Sequence, residues 1–479
     1  MATYTFFNRE QLTKDVHSAL KAWHGIGGTS ENLLESLRLV VMRRLPSAEA
    51  DSHAKRLATN EILLAGIDIL EALDPTSALV LRLRFPENEK IMTVAHKLNM
   101  SEHTISRLQK AAIGRLAEVI YDQEMSLREQ QAQEMEAHLP PSEYTRLFGI
   151  DDAKVALATH LLQTNAPWVV TLVGIGGIGK TALADSVTRQ VIREFAFDQV
   201  IWIRTEPQTM SGRFLSQEHT YEAIIHKLAQ HFWPQTATSL TLDKHIVQVR
   251  QALKARPYLI IIDNLETDTS HLMIHLNDLA NPSKILLTSR NRPDKQAHTF
   301  NFSLNELSLP AATDFIRHYS QEIGILTLAE ANSEDIASIY SLTGGNPLAL
   351  KLVVSLLDVL PLPQILSDLD KGQRGPAEDL YKYIYWQTWQ ILSKEARALL
   401  QAMPLVSESG ALPDYLQKIA GLTTGQLWLA IQELRRRSLL EVRGSIQEKR
   451  YGVHRLTKAF LHTQIIRIPE EVTNVMNSE

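Results

Sequence analysis

The chain contains no cysteine in its 479 residues. That absence excludes disulfide bonds, thiolate catalysis and cysteine-ligated zinc, and it fits a reducing cytoplasm, where we expect the protein to act. The chain also has no excess of basic residues, since its formal net charge is −5. A DNA-binding site, if present, must therefore be a local basic patch.

Long hydrophobic runs are also missing. The N-terminus lacks the basic stretch and apolar core of a signal peptide. The most apolar segment, Pro347–Leu360, contains Lys351, Ser355 and Asp358 and is too short to cross a bilayer, so we expect a buried helix there and no membrane partner. The composition is that of a soluble globular chain, and its length predicts several domains.

The most informative segment present is glycine-rich. Residues Gly174–Thr181 read G-x-x-x-x-G-K-T, between the apolar run Trp168–Val173 and the helix-forming stretch Ala182–Arg193. This strand, loop and helix context predicts a P-loop, whose backbone N–H groups converge on phosphate oxygens. Lys180 is expected to reach the β- and γ-phosphates, and the Thr181 hydroxyl to ligate Mg²⁺. The predicted nucleotide-binding residues of this segment are Gly174, Gly176, Gly177, Ile178, Gly179, Lys180, Thr181 and Ala182.

A second apolar run, Tyr258–Ile262, ends in Asp263, which we predict to bind Mg²⁺ directly or through water. Asn264 follows, where a hydrolytic base would be expected, and an amide cannot take a proton. Glu266 is the nearest carboxylate that could act in its place, or it is a solvated loop residue. Slow ATP hydrolysis at most follows from this pattern.

Further apolar runs lie at 199–203, 284–288 and 297–302, with helical patterns between them. This alternation predicts a parallel sheet with crossover helices. The run from Lys284 ends in Thr288-Ser289-Arg290, and strand ends on this side line the crevice of such a sheet. Arg290 is therefore a candidate for bidentate contact with a γ-phosphate. The predicted catalytic residues are Asp263, Glu266 and Arg290, and the predicted metal ligands are Thr181 and Asp263.

Near the N-terminus, the pattern is helical. The amphipathic stretch Leu73–Phe85, the short helix Ile91–Leu98, a turn at Asn99 and an N-cap at Ser101 predict a helix-turn-helix. Its predicted seam residues are Ala95, Leu98, Ile105 and Leu108. Between Pro75 and Ala117 there are seven Lys or Arg against three Glu, so this segment is locally basic.

This segment resembles the region-four helix-turn-helix of bacterial sigma factors. The start of the second helix in such a motif enters the major groove of duplex DNA. The resemblance implies that His103, Thr104, Ser106, Arg107 and Lys110 face the DNA. One alternative is a compact three-helix packing unit whose basic residues only solvate its surface. Another is a module that binds a protein instead of DNA.

Five segments, taken in order along the chain, resemble the NB-ARC branch of the STAND ATPases, which includes apoptosome and plant immune-receptor switches. These segments are the P-loop, Leu259–Asp263, Thr288–Arg290, Gly345–Leu350 and Tyr451–Leu456. The resemblance implies ATP or ADP with Mg²⁺ as ligands. It further implies that Gly149 lies next to the adenine, that Pro347 packs on the base or ribose, and that His454 contacts the β-phosphate from a winged-helix domain. The chain departs from the family pattern at two positions, where Ile150 and Arg455 replace the usual basic residue and aspartate.

The expected fold is a multidomain α/β protein. A P-loop parallel-sheet domain is flanked by an N-terminal all-helical helix-turn-helix domain and by C-terminal helical and winged-helix domains. The expected boundaries are 1–122 for the helical domain with its helix-turn-helix at about 75–117, 123–145 for a linker, 146–302 for the NB-ARC domain, 303–372 for the small helical domain, 376–466 for the winged helix and 467–479 for a tail.

Two functions follow as hypotheses. The first is an ATP/ADP-dependent signalling switch of bacterial transcription, with a DNA-binding N-terminal module, self-association in the ATP state and a sensor or effector protein in trans. The alternative is a defence or death-signalling scaffold of the same core, whose N-terminal helices recruit a protein effector. Asn264 argues against a dedicated metabolic ATPase.

Overall fold

The computed structural model forms two compact units, Met1–Glu136 and Ala137–Glu479. It describes residues 9–461 apart from 26–32, 44–51, 206–208, 211–212, 215–216, 236–240, 266–269, 291, 294–297, 326–327, 329–330, 366–384, 387, 408–409, 438, 446 and 454.

The first unit is helical. Its helices are α1 (Arg9–Lys21), α2 (Arg38–Arg43), α3 (Ser52–Leu73), α4 (Pro75–Arg84), α5 (Ile91–Lys97) and α6 (Glu102–Ala137), with a 3-10 turn at Leu33–Ser36. One apolar core joins α1, α2, α3, α4 and α6. Helix α3 approaches α6 closely at Gly66, because a Cβ there would lie 2.8 Å from a methyl group of Leu116 in α6. The N-terminal helices therefore pack against α4 and α6 of the predicted helix-turn-helix segment.

The predicted helix-turn-helix is present as α4, α5 and the start of α6. Asp74 caps α4 by accepting from the Ser77 backbone N–H at 3.1 Å. Asn99 takes a left-handed conformation, φ +53°, at the turn, a conformation that Asn tolerates better than most residues. Of the predicted seam, Ala95 and Ile105 are buried and Leu98 and Leu108 are half-buried against them, as expected.

Helix α6 continues without a break to Ala137, so the connecting segment begins later than the predicted linker start at residue 123. Glu124 explains the extension. Its carboxylate is buried and accepts from the backbone N–H groups of Arg38 and Leu39, both at 3.0 Å, at the start of α2. Arg128, one turn later, donates to the same carboxylate at 2.6 Å. Tertiary contacts thus order a segment that reads as polar and frayed in the sequence.

The second unit contains the predicted parallel sheet. Its strands are β1 (Val169–Val173), β2 (Gln199–Arg204), β5 (Tyr258–Leu265), β6 (Lys284–Ser289) and β7 (Thr299–Ser303), in the spatial order β2-β5-β6-β1-β7 with every pair parallel. A small antiparallel pair, β3 (Thr209–Met210) and β4 (Arg213–Phe214), follows β2. Strands β1 and β6 are buried along their whole length, as expected for a sheet covered on both faces. The carboxyl ends of β1, β5 and β6 therefore meet at one edge.

The helices of this unit surround and extend the sheet. They are α7 (Asp151–Leu162), α8 (Lys180–Ile192), α9 (Gln217–Phe232), α10 (Leu242–Ala255), α11 (Ser270–Leu279), α12 (Leu309–Ile323), α13 (Ser333–Thr343), α14 (Pro347–Leu356), α15 (Lys394–Ala402), α16 (Pro413–Ala420), α17 (Thr424–Arg436) and α18 (Arg455–Phe460). Helices α9, α10 and α11 share a core with the sheet.

The C-terminal part combines helices α15 to α18 with an antiparallel hairpin, β8 (Glu441–Gly444) and β9 (Lys449–Gly452). Ala411 adds a bridge to the hairpin through reciprocal backbone hydrogen bonds with Tyr451. The assignment of this part as a winged helix stays a prediction. Its apolar residues share one continuous core with α12, α13 and α14. The boundary predicted between the small helical domain and the winged helix therefore divides a single packed core.

Candidate nucleotide and DNA sites

The P-loop joins β1 to α8, as the sequence predicts. Gly179 is the N-cap of α8 with φ +100°, a conformation that glycine adopts without a steric cost. The Lys180 Nζ donates to the carbonyl oxygens of Gly174 at 2.8 Å and Ile175 at 2.9 Å. Its ammonium group therefore lies against the loop whose N–H groups a phosphate would meet.

Asp263, on β5, is the centre of the polar edge. It is fully buried, and its Oδ1 accepts from the hydroxyls of Thr181 at 2.8 Å and Thr288 at 2.6 Å. Its Oδ2 has no hydrogen bond within the described part of the chain and lies 3.6 Å from the Nε of Arg204. A buried carboxylate with a spare oxygen beside a threonine hydroxyl is the set of hard oxygen donors that Mg²⁺ prefers, so these residues fit the ion.

Asn264 is fixed in place by hydrogen bonds to Thr205 and Thr288. It has φ +68°, and its backbone N–H donates to the Thr288 hydroxyl at 2.8 Å. Its side-chain amide donates to the Thr205 carbonyl at 3.4 Å, and the Thr205 hydroxyl donates to the Asn264 carbonyl at 2.7 Å. The residue therefore ties the end of β5 to the chain just after β2.

The other wall of the P-loop comes from the start of α14. The buried Asn346 donates from Nδ2 to the Gly176 carbonyl at 3.1 Å. Its Oδ1 accepts from the backbone N–H groups of Leu348 at 3.0 Å and Ala349 at 3.3 Å, which makes Asn346 the N-cap of α14. Pro347 is the first residue of that helix. One side chain therefore both caps α14 and holds the P-loop.

The contact between P-loop and α14 is close because Gly177 permits it. Gly177 has φ +76°, and a Cβ there would lie 2.6 Å from the Cβ of Leu348. The Leu348 backbone N–H also points to the Gly177 carbonyl at 3.3 Å. The third and fourth residues of the P-loop are thus in direct contact with the helical segment.

Gly149 lies in a third neighbouring segment. It has φ +62°, and a Cβ there would meet that of Ala311, in α12, at 2.7 Å. The preceding Phe148 packs edge-on against Phe315 of the same helix, with ring centroids 5.7 Å apart. The backbone at Gly149 is therefore fixed against α12, and its contact with an adenine stays a prediction.

The remaining predicted residues fall into two groups. Ile178 is buried, Ala182 lies in the first turn of α8, and Arg290 is exposed directly after β6. Glu266 and His454 lie outside the described residues. The structure thus brings Thr181, Asp263 and Thr288 into direct contact, and it leaves the roles of Arg290, Glu266 and His454 as predictions.

Three participating residues were not among the predicted site residues. Arg204 ends β2 in register with Asp263, just as Asp263 ends its own apolar run. Thr288 comes from β6, which lies between β1 and β5. Asn346 precedes a proline at a helix start. The signal for Arg204 and Thr288 was present, because polar residues that end parallel strands converge at one edge.

At the helix-turn-helix, the predicted DNA-facing residues His103, Ser106, Arg107 and Lys110 are exposed, and Thr104 is half-buried. Ser101 caps α6, since its hydroxyl accepts from the Thr104 backbone N–H at 3.2 Å and bonds the Thr104 hydroxyl at 2.8 Å. Thr104 therefore takes part in capping α6 as well as lying on its predicted DNA-facing surface.

The basic residues of this segment divide into two classes. Four of the seven contact other side chains: Arg82 with Asp68 at 2.7 Å and Glu71 at 2.8 Å, Arg84 with Gln109 at 2.9 Å, Lys97 with Glu89, and Arg115 with Asp74. Within the described residues, Lys90, Arg107 and Lys110 have no ion pair. Two of these three are on the predicted recognition helix.

Comparison with known proteins gives two domain matches. Residues 150–304 match the sequence model of the NB-ARC domain, and residues 69–118 match that of sigma-70, region 4. Both resemblances read from the motifs are thereby confirmed. Along the described residues, no helix is long and apolar enough to cross a membrane.

Relatives come from plants and bacteria. The chain is 28% identical over 249 residues to disease susceptibility protein LOV1 of Arabidopsis thaliana, a match that covers 49% of this chain and 26% of the relative. It is 24% identical over 353 residues to transcription activator GutR of Bacillus subtilis (strain 168), covering 67% of this chain and 41% of the relative. The chain therefore spans well under half the length of these relatives.

Similar solved structures include a signal transduction ATPase with numerous domains (STAND) from Pyrococcus horikoshii that carries a tetratricopeptide repeat sensor. The TM-score is 0.45 at 17% identity, over 70% of this chain and 45% of that chain.

Proposed function

We propose that this chain, which carries an NB-ARC domain at residues 150–304 and a sigma-70 region 4 segment at residues 69–118, is an ATP/ADP-dependent switch that acts on DNA. The nucleotide binds at the P-loop and controls how the second unit is arranged. The N-terminal helix-turn-helix contacts duplex DNA.

The nucleotide part of the proposal rests on the P-loop edge of the sheet. Lys180 and the loop N–H groups bind the phosphates, while Thr181 and Asp263 hold Mg²⁺. Bound there, Mg²⁺ would neutralise charge on the β- and γ-phosphates. Asn264 is fixed through Thr205 and Thr288 and cannot accept a proton, so we expect slow turnover.

The observation that best supports a switch is that Asn346 bonds two elements at once. Its amide nitrogen binds the P-loop at Gly176, and its amide oxygen caps α14. A phosphate that reorders the loop must therefore change the hydrogen bonds at the first turn of α14. That helix shares its core with the C-terminal helices, so a shift at its start bears on the packing of the whole C-terminal part.

The DNA part rests on Arg107 and Lys110 at the start of α6, which are exposed and have no ion pair among the residues that the structure describes. Side chains already held by carboxylates would have to give up those contacts to bind phosphates, whereas these two would not. The similarity to transcription activator GutR extends over 67% of this chain and favours the same assignment. Recruitment of a protein by these helices is the alternative, and the similarity to a plant disease susceptibility protein is its support.

Nucleotide binding can be tested with a fluorescent ADP analogue and by mass spectrometry of nucleotide released from the purified protein. Lys180→Ala should weaken binding by at least ~100-fold, because a charge-assisted contact with phosphate is lost. Lys154→Ala on α7 removes the same charge away from the P-loop and serves as the matched control. Equal affinity in the two variants would contradict the site.

DNA binding can be tested by fluorescence anisotropy of labelled duplex DNA at two salt concentrations. Affinity should fall steeply with salt, and Arg107→Ala/Lys110→Ala should lower the slope of log K against log salt by about 2. The matched control is Arg82→Ala/Arg115→Ala, which removes the same charge from residues with acidic partners. Absence of DNA binding in the presence of ADP and of ATP would favour protein recruitment instead.

Self-association in the ATP state and a sensor or effector protein in trans complete the proposed switch. Both follow from the NB-ARC resemblance. Sedimentation velocity with ADP and with a non-hydrolysable ATP analogue should give a larger species only with the analogue. Identical sedimentation in the two states would remove self-association from the proposal.

A further inference from the structure

The chain that follows α6 is fastened to the P-loop helix. Ser142 and Tyr144 both donate hydrogen bonds to Asp185 of α8, at 3.0 and 2.8 Å. Asp185 is buried, and it also accepts from Arg189, which donates to the Pro140 carbonyl at 2.8 Å. We refer to residues 138–145 as the strap.

The strap contact is desolvated on the tyrosine side. Burial, together with the Asp185 carboxylate, raises the pKa of Tyr144 to about 12. The phenol therefore stays protonated at neutral pH and remains a donor to Asp185. Since Asp185 lies one turn after Thr181 on the same helix, the strap is anchored to the element that forms the phosphate and metal site.

Between the two anchoring residues, Glu143 makes a different contact. Its Oε1 lies 3.8 Å from Nη1 of Arg204, whose Nε lies 3.6 Å from Oδ2 of Asp263. Both distances exceed those of a closed hydrogen bond, about 2.7–3.2 Å. The Arg204 guanidinium thus stands between a carboxylate of the strap and the buried carboxylate of the metal site.

The two carboxylates compete for one cation. Oδ2 of Asp263 has no hydrogen bond among the described residues, so its charge is balanced there by Arg204 alone at 3.6 Å or by a metal ion. When Asp263 ligates Mg²⁺, a positive charge at Oδ2 repels the guanidinium. The attraction between Arg204 and Asp263 would then be lost, and the guanidinium would form a shorter ion pair with Glu143.

We propose that Arg204 is a positioning residue that couples Mg²⁺-nucleotide binding at Asp263 to the strap through Glu143. This inference rests on the proposed nucleotide site. The strap follows directly after the C-terminus of α6, at Ala137. Mg²⁺ binding would therefore alter the segment that connects the nucleotide site to the helix-turn-helix along the chain. Arg204 plays no part in bond breaking here; it acts by exchanging one carboxylate partner for another.

Hydrogen exchange measured on the full-length protein tests the coupling. The peptide covering residues 142–148 is compared with ADP plus Mg²⁺ and with ADP plus EDTA. In the unsubstituted protein, exchange should be several-fold slower with Mg²⁺. Glu143→Gln should abolish this difference and leave the affinity for the fluorescent ADP analogue unchanged. Asp152→Asn, an exposed acid-to-amide change just beyond the strap, is the matched control and should retain the difference.

A second variant tests the other half of the exchange. Arg204→Met removes the cation that competes with Mg²⁺. When Mg²⁺ is titrated into the protein bound to the fluorescent ADP analogue, the half-maximal change in fluorescence should occur at a ~3–10-fold lower Mg²⁺ concentration. Arg204→Lys restores a positive charge and should return that concentration toward the original value. A purely structural role would change thermal stability and not this midpoint.

The outcomes separate the inference from the function on which it rests. If ADP binds but exchange at 142–148 is the same with and without Mg²⁺, or Glu143→Gln behaves like the unsubstituted protein, the coupling is wrong and the nucleotide site stands. If ADP does not bind the unsubstituted protein, the proposed function fails and the coupling fails with it.

Discussion

At the P-loop edge, Asp263 and Asn346 are almost completely withdrawn from solvent. Asp263 contacts groups from two distant segments, and Asn346 contacts the P-loop. At the start of α6, Arg107 and Lys110 are exposed and make no ion pair within the described residues. Both regions bear the polar residues proposed to bind a charged ligand. They differ in whether those residues also hold the protein together.

The difference follows from the cost of burial. A buried polar group without a partner destabilises the fold by about 1–3 kcal/mol, so a buried polar side chain at the P-loop edge is expected to serve structure as well as ligand. An exposed side chain carries no such cost. Substitutions at the P-loop edge should therefore alter stability and binding together, whereas substitutions at the recognition helix should alter binding alone.

The largest effect is expected from Gly177→Ala. The new methyl group would lie 2.6 Å from the Cβ of Leu348, and φ is +76°. We expect the free energy of unfolding to fall by about 2–4 kcal/mol, the sum of left-handed strain and overpacking. Chemical denaturation of the second unit is the measurement.

Gly179→Ala provides the control for backbone strain. Gly179 also has positive φ, +100°, but a Cβ there has no neighbour within 4 Å. It should cost about 1–2 kcal/mol. Equal losses in the two variants would show that the contact between the P-loop and α14 is looser than the structure has it.

Lys284 sharpens the comparison because it is a buried basic residue in the same unit. Its Nζ donates to the carbonyls of His160 at 2.8 Å and of Asn165 and Pro167, both at 3.1 Å. Lys284→Met should lower the free energy of unfolding by about 2–3 kcal/mol at pH 7, since three carbonyls lose their donor.

The pH dependence of Lys284 has a definite sign. Burial lowers its pKa to about 8 from an ordinary value of 10.5. Between these values the unfolded chain binds a proton that the folded protein has released, so the free energy of unfolding rises with pH. The difference in free energy of unfolding between the unsubstituted protein and Lys284→Met should therefore grow from pH 7.5 to 9.5. A constant difference across this range would show that Lys284 keeps its ordinary pKa.

The sequence predicted the regions unequally, and the reason is geometric. The P-loop is contiguous, so its glycines, Lys180 and Thr181 could be read directly, and Asp263 followed from an apolar run that ends in a carboxylate. Asn346 contacts the P-loop 170 residues away in the chain, and no local pattern reports such a contact. Arg204 was signalled only by its place at the end of an apolar run, and the strand register with Asp263 turns that place into proximity.

The long helix α6 shows a similar limit. Residues from 123 onward were predicted to be a linker, yet Glu124 accepts from the backbone of α2 and Arg128 donates to Glu124. Local propensity did not give the length of this helix, because contacts with a segment distant in the chain involve residues beyond the predicted end. The helix-turn-helix itself was predicted well, since its seam and caps are local.

The smallest effect on stability is expected at the recognition helix. Arg107→Ala should change the free energy of unfolding by no more than about 0.5 kcal/mol, because the side chain is exposed and has no ion pair in the described part of the chain, although it should weaken DNA binding. Ser101→Ala, six residues earlier in the chain, should cost about 1 kcal/mol, because it removes the cap of α6 formed with Thr104. Thermal unfolding of both variants tests the contrast. A loss at Arg107 equal to that at Ser101 would mean that Arg107 is part of the fold, and the distinction between the two regions would then fail where it should be clearest.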